Sequence, residues 1–102
     1  MVLEVARLTI TTGQEADFER ALQEAKGILA ASPGFLGAQL HRGIEQRNEY
    51  WLLVRWETVE AHTVGFRQSD RFPRWRQLID PHFATPPEVA HATLVETVEP
   101  EN

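Results

Sequence analysis

The sequence predicts an α+β domain of βαββαβ order, a ferredoxin-like arrangement in which a four-stranded, mainly antiparallel sheet carries both helices on one face. Four stretches are rich in β-branched and aromatic residues, as strands are: about 2–10, 35–43, 50–57 and 88–98. Between the first two stretches, and between the last two, apolar residues recur at spacings of three and four, which indicates a helix. The short tip EQRN between the middle strands predicts a hairpin.

The first helix is predicted at about residues 13–31. Thr12 and, three residues later, Glu15 have the spacing of a capping box, in which the two side chains satisfy free backbone N–H groups at the helix start. The sequence Ser-Pro-Gly at 32–34 ends the helix. Its apolar face consists of Phe18, Leu22, Ala25 and Leu29.

The second helical region is predicted in two parts. Thr58 follows the strand YWLLVRWE and can cap a helix over residues 60–67, because its hydroxyl can accept a hydrogen bond from a free backbone N–H. A second cap at Ser69 restarts the helix, and Pro73 is tolerated there because it falls in the new first turn. A Pro-rich loop, the last strand and an acidic tail at about 98–102 follow, and we expect the tail to fray.

Both faces of the predicted sheet are apolar, whereas the helices can cover only one of them. Alternate residues of a strand point to opposite faces. Leu3 and Val5 in the first strand, together with Trp51 and Leu53 in the third, share the face that the helices leave open. A second sheet packed against this face removes it from water. We therefore expect an obligate homodimer with these four residues at its interface.

Composition excludes several classes of protein. With 102 residues the chain forms one domain, 1–102, and with no cysteine it has no disulfide, thiol nucleophile or thiolate metal site. The net charge of −5 argues against a nucleic-acid binder, which needs a basic face for the phosphates. No run approaches the ~20 apolar residues of a membrane span. We expect a cytoplasmic protein with neither nucleic acid nor membrane as partner.

One segment of the second half resembles a known family. It reads TVEAHTVGFRQSDRFPRW, follows a strand ending in Trp-Glu, and precedes a Pro-rich loop and a last strand that carries a His. This pattern resembles the antibiotic biosynthesis monooxygenase domain family, whose fold is a dimeric α+β barrel, and it is most specific from Trp56 to Phe72. The resemblance implies a homodimer. For activity it implies cofactor-free oxygenation of aromatic polyketides or quinols, haem degradation, or no known activity.

The residues that the haem-degrading branch of that family uses are replaced in this chain. The resemblance places Ala6 where that branch has an Asn, Phe66 where it has a Trp, and Arg76 where it has the haem-ligating His. An Arg cannot donate a lone pair to iron. The four histidines also form no H-x-H or H-x-x-x-H unit. We therefore expect neither haem nor another cofactor, and no metal.

His62 is the candidate catalytic base. It precedes Phe66 by four residues, so both side chains share one helical face, which we expect to look into the cleft between helix and sheet. A neutral imidazole there can take a proton from a phenol or hydroquinol. The alternative is a structural His bonded to Glu57 or to backbone. Arg76 is a second candidate, because it lies off the stripe of the neighbouring arginines and can turn toward the cleft.

Aromatic side chains can line a flat pocket for such a substrate, although large rings in a small domain also serve as core. We expect a cofactor-independent monooxygenase acting on a small phenolic or quinol-like aromatic. The alternative is a catalytically silent, dimeric ligand-binding or stress-response module that holds a small hydrophobic ligand in the same cleft. The candidate pocket residues are Tyr50, Trp56, Phe66, Phe72 and Trp75.

Overall fold

The computed structural model describes residues 1–101, and its elements follow the predicted βαββαβ order. No helix within those residues is long and apolar enough to cross a membrane. The strands are β1 (Val2–Thr9), β2 (Phe35–Arg42), β3 (Glu49–Trp56) and β4 (Glu88–Ala92). The helical elements are α1 (Glu15–Ala30), a π-helix (Ala61–Phe66), α2 (Arg71–Ile79) and a 3₁₀ turn (Asp80–His82).

The four strands form one sheet in the order β2-β3-β1-β4, and each neighbouring pair is antiparallel. The central strands β1 and β3 pair along their whole lengths, from Val2 opposite Trp56 to Thr9 opposite Glu49. The helices lie against one face of this sheet, where the core forms. The predicted α+β, ferredoxin-like fold class is therefore confirmed.

The core lies between the helices and one set of alternating strand residues. In β1 and β3 the even-numbered side chains after Val2 are buried, and the helices supply the rings and aliphatic groups that pack on them. Full burial of one such side chain stabilises the fold by about 1.5–3 kcal/mol. The buried apolar residues of the sheet are Ala6, Leu8, Tyr50, Leu52, Val54 and Trp56, and those of the helices are Phe18, Ala25, Leu29, Phe66, Trp75 and Ile79.

No element of residues 1–101 covers the opposite face of the sheet. Leu3, Val5, Trp51 and Leu53 are only half-buried there. Val5 stands directly opposite Leu53 across the β1–β3 pair, so the four side chains form one continuous patch. The second apolar face that the strand pattern predicts is thus present.

The helix starts agree only in part with the predicted caps. Thr58 Oγ1 accepts a hydrogen bond from Ala61 N at 3.0 Å, and Ser69 Oγ accepts one from Arg71 N at 3.2 Å. The predicted capping box at Thr12 is wrong. Gln14 is the N-cap of α1 and makes no side-chain capping bond, because α1 starts later than expected, at Glu15.

The last strand is shorter than the sequence pattern predicts, since β4 ends at Ala92 rather than near residue 98. Its partner explains the end point. β4 pairs with β1, in which Leu3 stands opposite Ala92, and β1 begins one residue before Leu3. Beyond Ala92 there is hardly any strand left to pair with. Residues 93–101 accordingly form no regular structure.

Candidate active site

A cavity of about 440 Å³ lies between the sheet and the helical segments that follow β3. Its size falls within the range of small-molecule pockets. Aliphatic side chains form most of the sheet wall, and three aromatic rings stand on the helical wall. The lining residues are Glu4, Ala6, Leu8, Leu52, Val54 and Val89 from the sheet, Leu29, His62, Phe66, Arg67, Phe72, Trp75, Arg76, Ile79 and Asp80 from the helical segments, and Phe83 and Pro87 from the loop before β4.

The π-helix directs two side chains into this cavity. Arg67 N donates a hydrogen bond to the carbonyl of His62, five residues back, at 3.0 Å, which is the wide turn of a π-helix. His62 and Phe66 are both 3% exposed, and both line the cavity. Single π-turns of this kind are frequent at functional sites. The sequence predicted an α-helix here, because helix propensities and capping residues do not distinguish a π-helix from an α-helix.

Glu4 forms the polar end of the cavity. It is a carboxylate on the covered face of β1 and is only 6% exposed. Trp56 Nε1–H donates a hydrogen bond to Glu4 Oε1 at 2.9 Å. Burial raises the pKa of Glu4, because it disfavours the charged form, while the bond from Trp56 and the charge of Arg67 act against that rise.

His62 lies between Glu4 and the edge strand β4. Its Nδ1 is 2.8 Å from Nε2 of His91, a hydrogen bond in which one ring donates and the other accepts. Its Nε2 is 3.4 Å from Glu4 Oε1, and its ring stacks on Trp56 with centroids 5.3 Å apart. Burial lowers the pKa of His62 to about 4, and the charges of Arg67 and His91 act in the same direction. The imidazole is therefore neutral at pH 7.

Two arginines border the cavity. Arg67, at the end of the π-helix, is exposed, yet it is close enough to Glu4 and His62 to affect the pKa of both. Arg76 is tied down at the rim. Its Nε donates to Asp80 Oδ2 at 2.6 Å, and its guanidinium lies 5.7 Å from the centroid of the Phe72 ring. Arg76 thus has a partner for its charge, whereas Arg67 makes no ion pair within residues 1–101.

The structure brings most of the proposed site residues to one cavity and leaves two outside it. Trp56 is fully buried behind Glu4 and His62 and does not reach the cavity. Tyr50 lies under α1, at the other end of β3. Its ring packs on Phe18 with centroids 5.0 Å apart, and its hydroxyl donates to Glu19 Oε2 at 2.6 Å. The proposed residues that line the cavity are His62, Phe66, Phe72, Trp75 and Arg76.

Three polar residues of this region are not among the site residues predicted from the sequence: Glu4, Arg67 and His91. A signal for Glu4 exists, because it shares the face of the buried Ala6, and a charged residue on a covered face is uncommon. The contact of His62 with His91 depends on the pairing of Glu4 opposite His91 across β1 and β4. Local patterns do not give that register. The bond of His62 to Glu57 or backbone, considered above, is replaced by the bond to His91.

A ferredoxin-like domain with a ring-lined cavity and a buried carboxylate–imidazole pair is the class of protein that this geometry defines. Within residues 1–101, no group of three or more His, Cys, Asp or Glu side chains is placed to hold a metal ion. The family model for antibiotic biosynthesis monooxygenase matches residues 1–78. The chain therefore belongs to the antibiotic biosynthesis monooxygenase family.

The chain is also similar to several individual proteins. A candidate antibiotic biosynthesis monooxygenase from Bordetella bronchiseptica is 42% identical, with a TM-score of 0.91 over 93% of this chain and 97% of its own. The uncharacterised protein YczJ from Bacillus subtilis is 38% identical over 89% of this chain and 96% of its own. SnoaB, a cofactor-independent oxygenase from Streptomyces nogalater, shares the fold at 24% identity, with a TM-score of 0.78 over 95% of each chain. A mycobilin-producing heme oxygenase from Mycobacterium tuberculosis is 28% identical over 59% of this chain and 57% of its own.

Proposed function

We propose that this protein is a cofactor-independent monooxygenase that acts on a small phenolic or quinol-like aromatic. One observation carries the proposal: an apolar cavity of about 440 Å³ ends at the buried pair Glu4 and His62, with Arg67 beside it. The rings of Phe66 and Trp75 can stack on a flat substrate, and the polar end can take its hydroxyl proton. The description of SnoaB as a cofactor-independent oxygenase supports this reading of the shared fold.

The reaction follows from the acidity of the substrate. Loss of the hydroxyl proton delocalises the electron pair onto a ring carbon, and that carbon can react directly with O₂. One oxygen atom enters the product as a carbonyl, and the other leaves as water. The substrate supplies all four electrons, so that a phenol becomes a quinone. The positive charge of Arg67 beside the cavity stabilises the anion that forms.

Oxygen uptake by the purified protein tests this function. With a panel of hydroquinols and dihydroxynaphthalenes in the presence of a chelator, we expect at least one substrate to give one O₂ consumed per molecule of product. The boiled protein gives the uncatalysed rate. Binding of these aromatics without oxygen uptake would instead support the catalytically silent ligand-binding module, which the replaced residues Ala6, Phe66 and Arg76 favour.

We also propose that the open face of the sheet joins two copies of the chain. The patch of Leu3, Val5, Trp51 and Leu53 is continuous, and no element of residues 1–101 covers it. A second sheet packed at roughly 10 Å would bury it on both copies. The cavity lies on the other side of the sheet, so each copy keeps its own site.

Haem does not fit the side chains of this cavity. Among its lining residues His62 has the only imidazole; its Nδ1 is bonded to His91, and its Nε2 lies 3.4 Å from Glu4 Oε1. Arg76, which the resemblance to the family's haem-degrading branch places at the position of the haem-ligating His, is paired with Asp80. Similarity to the Mycobacterium tuberculosis heme oxygenase therefore does not carry haem degradation over to this chain.

We accordingly expect haemin to bind weakly and without the spectrum of His ligation, as a titration followed at the Soret band will measure. His82→Ala is the matched control for His62→Ala, because His82 lies outside the cavity. A sharp Soret band at one equivalent of haemin, lost in His62→Ala but kept in His82→Ala, would contradict this expectation.

A further inference from the structure

Glu4 is a buried carboxylate whose two oxygens have different surroundings. Oε1 accepts the hydrogen bond from Trp56 at 2.9 Å and lies 3.4 Å from His62 Nε2. Oε2 accepts no hydrogen bond from residues 1–101. Within those residues, the only buried side-chain N or O atom without a partner is Ser32 Oγ. Oε2 therefore retains accessible surface, and Glu4 is among the residues that line the cavity.

We propose that Glu4 is the general base of the site and that Oε2 takes the hydroxyl proton of a phenol bound in the cavity. The O–H bond of the phenol breaks, an O–H bond to Glu4 Oε2 forms, and the electron pair stays on the phenolate oxygen. This step rests on the proposed function, since it supplies the anion that reacts with O₂.

The balance of charge favours Glu4 over His62 as the proton acceptor. Proton transfer to the Glu4 carboxylate only moves one negative charge from Glu4 to the phenol. Transfer to neutral His62 creates a buried cation and a buried anion together, which a site of low polarity opposes. Burial acts consistently on both groups: it raises the pKa of Glu4 and lowers that of His62 to about 4. Both shifts favour Glu4 as the proton acceptor.

His62 then acts as a positioning residue. It is held by His91 on β4 and by the ring of Trp56 on β3, and its Nε2 lies 3.4 Å from Oε1 of Glu4. Trp56 holds the same oxygen by its hydrogen bond, which leaves Oε2 for the substrate. The charged groups that face this end are Arg67 from the π-helix and, at the rim, the Arg76–Asp80 pair.

The proposal is tested with 4-nitrophenol, whose phenolate absorbs in the visible range, at a pH below the pKa of the free probe. In the wild-type protein we expect the bound probe to appear as phenolate. The infrared difference spectrum should then gain the C=O stretch of a carboxylic acid, from protonated Glu4. In Glu4→Gln that band should be absent, and the bound phenolate fraction should fall about tenfold or more, the equivalent of one pKa unit. Glu24→Gln, which alters an exposed carboxylate on α1, should behave like the wild type.

Phenolate formation without a carboxylic acid band in the wild type would overturn the proposal, because the proton would then lie elsewhere. The proposal is also overturned if the probe fails to bind, if the bound probe stays neutral, or if the probe ionises to the same extent in Glu4→Gln as in the wild type. Absence of this band in the wild type overturns the proposal without any variant, so the proposal stays falsifiable even if Glu4→Gln does not fold. No step of the experiment uses O₂. If the bound probe transfers its proton to Glu4 but the protein takes up no oxygen, the proposed oxygenase function is rejected, whereas the assignment of Glu4 as the base stands.

Discussion

Replacement of Leu53 by Asp is expected to dissociate the proposed homodimer and to leave most of the protein unfolded at micromolar concentration. Leu53 stands at the centre of the open face, directly opposite Val5. A carboxylate there would be buried without a partner against the second sheet, which costs several kcal/mol. A small domain that depends on association loses its fold together with its partner. Sedimentation velocity gives the oligomeric state, and far-UV circular dichroism gives the folded fraction.

Ile44→Asp is the matched control for this experiment. Ile44 is 89% exposed, so the same change of chemistry there should leave both assembly and fold intact. A stable, folded monomer of the wild-type protein would contradict the proposed dimer. So would a Leu53→Asp variant that sediments and melts like the wild type.

The second large effect that we expect is a loss of stability in acid that depends on His62. The pKa of His62 is about 4 in the folded protein, against 6.5 for an unperturbed His. The unfolded chain therefore binds this proton first, and the free energy of unfolding falls as the pH drops from about 6.5 to about 4. At 1.36 kcal/mol per pKa unit, the loss reaches at most about 3 kcal/mol.

Glu4 acts in the opposite direction over part of this range. Its pKa is raised in the folded state, so its protonation favours the fold as the pH falls. The comparison of wild type with His62→Gln isolates the term from His62, because Glu4 is present in both. Urea unfolding at a series of pH values should give a shallower pH dependence for His62→Gln than for the wild type. Equal slopes in wild type and His62→Gln would show that burial of His62 is not linked to stability.

The fold could be predicted from the sequence because its signals are local. The β-rich stretches, the SPG break after α1, and the caps at Thr58 and Ser69 each act within a few residues. The apolar second face also follows from strand alternation alone. The residue at which β4 ends is not set by a local signal, because it depends on where its partner strand β1 begins.

The site could be predicted only in part. The spacing of four between His62 and Phe66 gave the correct common face, since a π-turn still places both side chains inward. The partners of His62 come from two other strands. Glu4 and His91 meet it through the register of β1 with β4, which requires the assembled sheet. Tyr50 was assigned to the pocket because of its type, although its position on β3 places it under α1.

The reaction that we propose depends on a carboxylate at the end of the cavity, and oxygen uptake under substrate saturation tests it most directly. The rate is measured for the wild type, Glu4→Gln and the control Glu24→Gln with the best hydroquinol of the panel, in the presence of a chelator. Loss of a general base lowers kcat by about 10² to 10⁴, so we expect that decrease in Glu4→Gln and none in Glu24→Gln. Oxygen uptake at the wild-type rate in Glu4→Gln, or no uptake by the wild type with any phenolic substrate, would contradict this mechanism.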